Sequence, residues 1–586
     1  MLIFWPGGFL VNSSLLHSLF RVFGLILFAL VLLSPVLLQW PQQDLMPFLQ
    51  WKLIAAVWCY LLVLSLFRSL WPGLVLLLPA ALLVPQEVFY LLTYQKNTDA
   101  HAIAIVAETD LNEALGYLTG VGVFLAVMVA AILLLWWYLV RSAWQRQWRW
   151  EAGVRPLVWL IGIGVLASLG WNEWQYQQIN KAKQRSNPEE NIFVQRPLPY
   201  SYEKFHATYP LNILLALNEF VRQKQAVADI AQDLALFKFS AKQTKAPEAR
   251  QIYLLVIGET LRPDRLQLNG YNRATTPRLA GTKNVISFTD MVSPWAWTRM
   301  SVPVIISRKS PVDQRYFPTE TSLVAAFQEA GFNTAWLSTQ SPLGVHDSSI
   351  ALHASEADQV QYLNPVGYKQ EGFYDEILLP AVERVVQQNH TRQLIVLHTL
   401  GSHFSYTDRY PESFDLFTPS GKGQAISMHD KKSKVMLNNA YDNTVAYTDF
   451  ILFSLIKQLE QTQSISTLFY VSDHGENIFD GQCNKSGHGH NTERDYRVAA
   501  LLWTSDAYNQ QYPHKKALAE KNRQQPLSTS SIFHSMLDLA DIQYPDQKLS
   551  LSWVNPAWRT SPRLLQQGLH FDTAKRVGIC QELQSP

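Results

Sequence analysis

Apolar residues crowd the first third of the chain and thin out abruptly after it. Five long apolar runs, at 18–40, 52–70, 71–94, 117–140 and 154–171, follow one another with short polar connections. Each is close to the roughly 20 residues a helix needs to cross a bilayer core. Buried helices of a soluble bundle give similar runs singly, but five in succession predict membrane spans. The first run is long, Leu-rich at its end and without a small-residue cleavage site, so it reads as an anchor, not a removed signal. Charges in the connections set the orientation. Arg141, Arg146, Arg149 and Arg155 crowd the connection between the fourth and fifth runs, and Arg68 lies between the second and third. The connection between the third and fourth carries Asp99, Glu108, Asp110 and Glu113 against Lys96. Positive charge stays on the cytoplasmic side, which puts the N-terminus there and everything after Trp171 outside it.

From 172 to 250 the chain is polar, with a Pro-rich patch at 196–200 and a helical run at 211–236. In that run Leu215, Leu217, Phe220, Val221 and Ile230 form an amphipathic stripe, which either docks the helix on a domain or lays it in the membrane interface. From 251 the period changes. Strand-like runs at 252–257, 334–338, 394–400, 468–472 and 499–503 alternate with helical patterns at 322–330, 374–387, 434–460 and 530–539. That alternation predicts a largely parallel sheet with helices on both faces. The expected organisation is therefore a transmembrane domain at 1–171, a linker with an interfacial helix at 172–250, and an α/β domain at 251–586.

In open α/β sheets ligands bind outside the carboxyl ends of the strands. The run Leu468-Phe-Tyr-Val-Ser472 ends in Asp473-His474-Gly475, and Tyr253-Leu-Leu-Val-Ile257 ends in Gly258-Glu259-Thr260. The run Leu394-Ile-Val-Leu-His398 continues into Gly401-Ser402-His403. One acid or imidazole at a strand end is equally well explained as a capped loop. Glu259, Asp473, His474, His398 and His403 together on one edge are harder to explain so, because apolar strand ends need no such groups. Carboxylate with neutral imidazole suits a borderline divalent metal such as zinc. Gly487-His488-Gly489-His490 is a further His-rich tract, either metal-affine or a plain exposed loop. Thr298, within Ser293-Pro-Trp-Ala-Trp-Thr298-Arg299-Met-Ser301-Val-Pro303, has a hydroxyl that a metal could orient toward phosphorus; a helix N-cap is the local alternative.

Composition narrows the partners. Forty-nine basic against 47 acidic side chains, a net charge of +2, exclude a nucleic-acid binder. Nineteen tryptophans, many at the ends of apolar runs, fit a membrane interface belt. Cys59 lies in an apolar run, while Cys483 and Cys580 lie in the polar part, where a single bridge between them stays open.

The run Gly258-Glu259-Thr260-Leu-Arg262-Pro-Asp264-Arg265-Leu-Gln-Leu-Asn-Gly270-Tyr271-Asn-Arg273-Ala-Thr275-Thr276-Pro277 resembles the opening motif of the phosphoethanolamine transferases. These are inner-membrane enzymes of Gram-negative bacteria with an alkaline-phosphatase/sulfatase-like domain. The likeness extends to Thr298-Arg-Met-Ser-Val-Pro303, the His398/His403 segment, Ser472-Asp473-His474-Gly475-Glu476 and the five-helix anchor, and so spans nearly the whole chain. It implies Thr298 as nucleophile, and Glu259, Thr298, Asp473 and His474 as ligands of one tightly bound zinc, with a second zinc left open. It further implies His403 and His488 at the substrate site, His490 competing with His488 for the alignment. The implied donor is phosphatidylethanolamine, and the implied location is the bacterial inner membrane, multi-pass, with the catalytic domain in the periplasm. Members acting on lipid A usually place cysteines around the nucleophile. Here the segment is Trp295-Ala-Trp-Thr298 and Pro303-Val304, which favours lipopolysaccharide core or periplasmic glucan as acceptor.

Rival readings on the same fold are a glycerophosphate transferase, a sulfatase-like hydrolase and a non-catalytic envelope sensor. Thr298-Arg299-Met300-Ser301 lacks the Cys/Ser-x-Pro-x-Arg setting of a sulfatase. Decay to a sensor would remove ligands piecemeal, yet Glu259, Thr298, Asp473 and His474 all remain.

Overall fold

The computed structural model describes residues 13–39, 46–94, 97–108, 118, 121–186, 208–315, 317–340, 349–364, 374–424 and 426–586. The Pro-rich patch at 196–200, Lys96, Asp110 and Glu113 lie outside the described residues. The chain forms two compact units, one of Met1–Ala107 with Val121–Arg222 and one of Glu108–Gly120 with Gln223–Pro586.

The first unit is helical. Its helices are Ser13–Leu37, Met46–Ser65, Leu70–Leu76, Leu78–Tyr94, Ala100–Glu108, Gly122–Gln145 and Val154–Ser186. Among the described residues, most of each apolar run falls on a helix. Among the described residues, Gly122–Gln145 is long and apolar enough to cross a membrane, and the bent pair Leu70–Leu76 and Leu78–Thr93 is a second if it counts as one span. The apolar stretches Arg21–Leu37, Lys52–Ser65 and Val154–Ser168 are shorter. The five-span count therefore stays an expectation. Apolar side chains occupy the outside of this unit as well as its interior. Phe28, Leu32, Tyr60, Leu74, Ala81 and Leu139 pack inside, yet Val123, Phe124, Leu134 and Leu160 stand exposed. The connections meet in pairs. Leu70 N–H donates to Trp148 O, Trp150 N–H to Arg68 O and Arg155 Nε to Ser65 O, which joins the two Arg-bearing connections. Gln39 Nε2 in turn donates to Asn97 Oδ1 at 2.9 Å, which joins the other two.

The second unit is an eight-stranded sheet between helical layers. Its strands are β1 (Gln251–Gly258), β2 (Val285–Val292), β3 (Asn333–Ser338), β4 (Gln359–Tyr362), β5 (Arg392–His398), β6 (Ile465–Ser472), β7 (Arg497–Thr504) and β8 (Leu527–Ser528). They lie in the order β8-β2-β7-β6-β1-β5-β3-β4. From β6 to β4 every pairing is parallel, whereas β7 runs antiparallel to both β6 and β2, so the sheet is mixed. Strands β2, β4 and β8 escape the sequence pattern because they are interrupted by polar residues or very short. Val285–Val292 contains Thr289 and Asp290 facing out, and Gln359–Tyr362 is a half-exposed edge.

Both faces of β1 are covered, which is why it reads as an unbroken apolar run. Ile252, Leu254 and Val256 pack with Leu437, Tyr441, Val445 and Leu452 of the Lys434–Gln461 helix. Tyr253, Leu255 and Ile257 face the other way, toward Phe533, Met536 and Leu537 of the Ile532–Leu539 helix. Alternate side chains of one strand thus serve two cores.

Candidate active site

Strand register builds the site. In the parallel pair β1/β6, Gly258 lies opposite Ser472, so the next residues out, Glu259 and Asp473, emerge side by side. In the pair β1/β5, Ile257 lies opposite His398, and the loop that follows crosses the end of β1. Ser402 N–H donates to Glu259 O at 3.0 Å, and a Cβ on Gly401 would come within 2.9 Å of the Glu259 backbone. Only glycine, here at φ +50, allows that crossing. Asp375 fixes the loop. Its carboxylate accepts Leu400 N–H and Gly401 N–H, both at 2.9 Å, and the Thr339 hydroxyl at 2.5 Å.

Thr298 opens the Thr298–Ile306 helix, but the N-cap is Trp297, whose carbonyl accepts Met300 and Ser301 N–H. The Thr298 hydroxyl is thereby free of capping. Oγ1 stands 3.2 Å and 3.4 Å from the two Glu259 oxygens and 3.3 Å from His474 Nε2. A helix N-terminus favours negative charge on that oxygen. Glu259, Asp473 and His474 are fully buried and offer ligand atoms within 4.8 Å of one another. Asp473 Oδ1 accepts Thr260 N–H at 3.0 Å and its own neighbour His474 N–H at 2.7 Å, while Oδ2 accepts no hydrogen bond. Thr260 is a β-branched residue held at φ +63, a strained conformation kept by Asp473 below and by the Tyr441 hydroxyl, which donates to its carbonyl at 2.7 Å.

The electrostatics ask for a cation. Burial and the adjacent Glu259 charge push the Asp473 carboxyl up to about 7. Burial alone would depress His474, but Asp473 and Glu259 outweigh it and push the imidazole up to about 10. Burial likewise works against the Glu259 charge, and His474 overrides it, holding Glu259 below the usual carboxylate range. Two buried carboxylates thus compete for one imidazole, and Asp473 Oδ2 stands 3.4 Å from His474 Nε2 with no hydrogen bond of its own. Oxygen from Glu259, Asp473 and Thr298 with nitrogen from His474 is a donor set that fits a tetrahedral divalent metal.

The remaining histidines separate. His488 brings its ring centroid to 4.2 Å from that of His474, and its Nδ1 lies 3.4 Å from Glu476 Oε1. Burial and the neighbouring His474 keep it well below the usual histidine value. His490 turns away and meets Ser486 O at 2.9 Å. His403 is half-buried, with Nδ1 at 2.5 Å from Phe404 O. His398 is buried beside Trp336, and burial pushes it down to about 4, so it stays neutral. Sequence reasoning passed over Glu476, Tyr406 and Asp375. The Tyr406 hydroxyl donates to Glu476 Oε2 at 2.6 Å, and burial pushes that carboxyl up to about 7. Glu476 stood in the quoted Asp473-His474-Gly475-Glu476 run, two residues past a ligand, and adjacency was its only signal.

Arg262 and Arg299, which lie in the two quoted motifs, are both buried. Arg262 is committed to protein partners in two loops: Nη1 donates to Asp480 Oδ2 at 2.8 Å and Glu476 O at 2.9 Å, and Nε to Asp264 Oδ1 at 2.9 Å.

Known proteins agree with this architecture. The family model described as Sulfatase matches residues 251–542, and that described as Phosphoethanolamine transferase EptA/EptB matches residues 53–189. Phosphoethanolamine transferase EptC of Escherichia coli O18:K1:H7 is 25% identical over 524 residues, covering 85% of this chain and 87% of its own. Kdo(2)-lipid A phosphoethanolamine 7''-transferase of Salmonella typhimurium is 31% identical over 284 residues, 46% of this chain and 47% of its own. Among solved structures, the zinc complex of the C-terminal periplasmic domain of E. coli EptC is 26% identical with a TM-score of 0.51, covering 57% of this chain and 95% of that one. The integral membrane protein EptA of Neisseria meningitidis shares the fold across 94% of this chain and 99% of its own, with a TM-score of 0.65 at 21% identity. On the paired family models and full-length relatives, the chain belongs to the phosphoethanolamine transferase family, enzymes of the transferase class with a sulfatase-like domain.

Proposed function

We propose that the chain transfers phosphoethanolamine from phosphatidylethanolamine to a cell-envelope glycan through a covalent intermediate on Thr298. The observation that carries this reading is the Thr298 hydroxyl, uncapped and within 3.4 Å of Glu259 and His474 in a buried two-carboxylate pocket. A zinc ion held by Glu259, Asp473, His474 and Thr298 would supply Lewis acidity and make the hydroxyl acidic at neutral pH. Thr298 Oγ1 attacks phosphorus in line with the glycerol oxygen. The Oγ1–P bond forms, the P–O bond to glycerol breaks, and the threonine proton passes by way of His403 and His488 to the departing diacylglycerol. An acceptor hydroxyl then attacks the same phosphorus, and its proton returns to Thr298 as the Oγ1–P bond breaks. The Trp295-Ala-Trp-Thr298 segment, without cysteine, favours lipopolysaccharide core or periplasmic glucan as that acceptor.

Five segments across the bacterial inner membrane, with the catalytic domain in the periplasm, suit a donor and a leaving group that both live in the bilayer. The pairwise meeting of the connections supports this placement, since alternate crossing brings first with third and second with fourth connections together. The division at 1–171, 172–250 and 251–586 belongs to the same reading.

The test is incubation of the detergent-solubilised chain with head-group-labelled phosphatidylethanolamine, beside Thr298→Ala and a chelated sample. Released diacylglycerol and a phosphoethanolamine adduct on the Thr298 peptide, both lost in the controls, are expected. No diacylglycerol from the zinc-restored protein would overturn the donor assignment.

A further inference from the structure

The ring of His488 is held in an unusual way. Among the described residues no hydrogen bond fixes it, and Nδ1 is buried without a donor or acceptor partner, 3.4 Å from Glu476 Oε1. What holds it is aromatic packing. It meets two rings, His474 with centroids 4.2 Å apart and the indole of Trp297, 5.0 Å away and edge-on at 82°. Such an edge-to-face pair adds attraction beyond burial and favours one tilt of the ring. Trp297 cannot drift, because its backbone is the N-cap of the helix that Thr298 opens. The next residue along the His488 loop makes room for it. A Cβ on Gly489 would fall 2.2 Å from Trp297 Cζ2 and 2.7 Å from Cη2.

We infer that Trp297 is a positioning residue: its indole, seated over Gly489, sets the His488 ring against the centre where Thr298 reacts. The inference rests on the transferase reading, in which His488 serves the reaction. One residue thereby couples two parts of the site, since the backbone that places the nucleophile also carries the wall that places the imidazole. A misplacement of about 1 Å is enough to cost about 10²-fold in rate.

Three variants of the full chain in detergent, Trp297→Ala, Trp297→Phe and Gly489→Ala, decide it through diacylglycerol release. Trp297→Ala is expected to lower kcat by about 10²-fold with the KM for phosphatidylethanolamine little changed, and Trp297→Phe, which keeps an aromatic edge, to restore most of it. Gly489→Ala should slow the wild-type background but add little to Trp297→Ala. Wild-type kcat in Trp297→Ala overturns the inference, as does equal loss in the Ala and Phe variants with a lowered unfolding midpoint. An equal Gly489→Ala loss in both backgrounds would assign the effect to backbone strain at φ +83 and also overturn it. A readout without turnover separates this from failure of the transferase reading. In isotope-labelled protein the His488 ring signal, identified by its loss in His488→Gln, should move when Trp297 is replaced. Its standing still overturns the positioning role, whatever the enzyme does with phosphatidylethanolamine.

Discussion

Three residues after Glu259 the same loop buries Arg262, and the two side chains meet their surroundings in contrary ways. Around Arg262 charges are matched. Arg262, Arg265 and Arg273 meet Asp264, Asp480 and Asp442, and Tyr271 adds a hydroxyl to Asp442 Oδ2 at 2.8 Å. Around Glu259 they are not: two buried carboxylates face one imidazole, and Asp473 Oδ2 accepts no hydrogen bond. Burial makes unmatched charge expensive, so a fold retains it only where something from outside completes it. The matched knot is therefore the scaffold and the unmatched one the candidate centre, although one loop contributes to both.

The contrast can be broken most directly at Thr298. Thr298→Ala should cut transfer by about 10⁴-fold or more while the protein unfolds at the same midpoint, because the hydroxyl does chemistry and little packing. Asp473→Asn should lose bound metal, read by metal content after dialysis, and activity with it. Its metal-free form should be no less stable than the metal-free wild type, since one of two repelling carboxylates is gone. Arg262→Ala should do the reverse and cost about 3 kcal/mol in chemical denaturation, because buried Asp480 loses its shortest ion pair and keeps only the longer ones to Arg265 and Arg494. If Arg262→Ala instead kept full stability and lost only turnover, the scaffold assignment would fail.

Cys483 and Cys580 are disulfide-bonded across 97 residues, which ties the 477–490 loop to the C-terminal hairpin. That loop carries Asp480 of the matched knot and His488 of the unmatched one. Cys580→Ser should cost about 2–4 kcal/mol and slow turnover, one tether serving both regions. The smallest effect is acid sensitivity. Burial opposes the Asp480 charge but Arg262 outweighs it, so the carboxyl is held below the usual carboxylate range. Its stabilisation is present above the unfolded value of about 3.9 and is lost as pH falls further. The stability gap between wild type and Asp480→Asn should narrow from about pH 6 to about pH 3. A gap that stays constant would remove Asp480 from the clamp.

What could be read in the sequence was whatever burial writes as pattern. β1, β5 and β6 are covered on both faces and end in polar residues, so their ends, and with them Glu259, Asp473 and His403, could be picked out. The 211–236 helix falls at Leu211–Leu236 as its periodicity predicts. β2 and β4 face solvent in part and carry no continuous apolar signal, and the reversed direction of β7 has no local signature at all. Side chains that act by supporting others, such as Asp375 beneath the Gly401 loop or Tyr406 on Glu476, are ordinary residues in one dimension. Only the fold gives them neighbours.

The pairing of Gly258 with Ser472 has a consequence for how the chain tolerates change in length. The 200-odd residues between Glu259 and Asp473 can grow or shrink at their loops without moving either ligand, because neither position is measured along the chain. Both are measured across the sheet. Deleting one residue inside β6 would shift the phase of every side chain beyond it by one, turning Asp473 to the opposite face while leaving composition, hydrophobicity and the Asp-His-Gly triplet intact. Such a chain would still carry the motif and would no longer assemble the pocket.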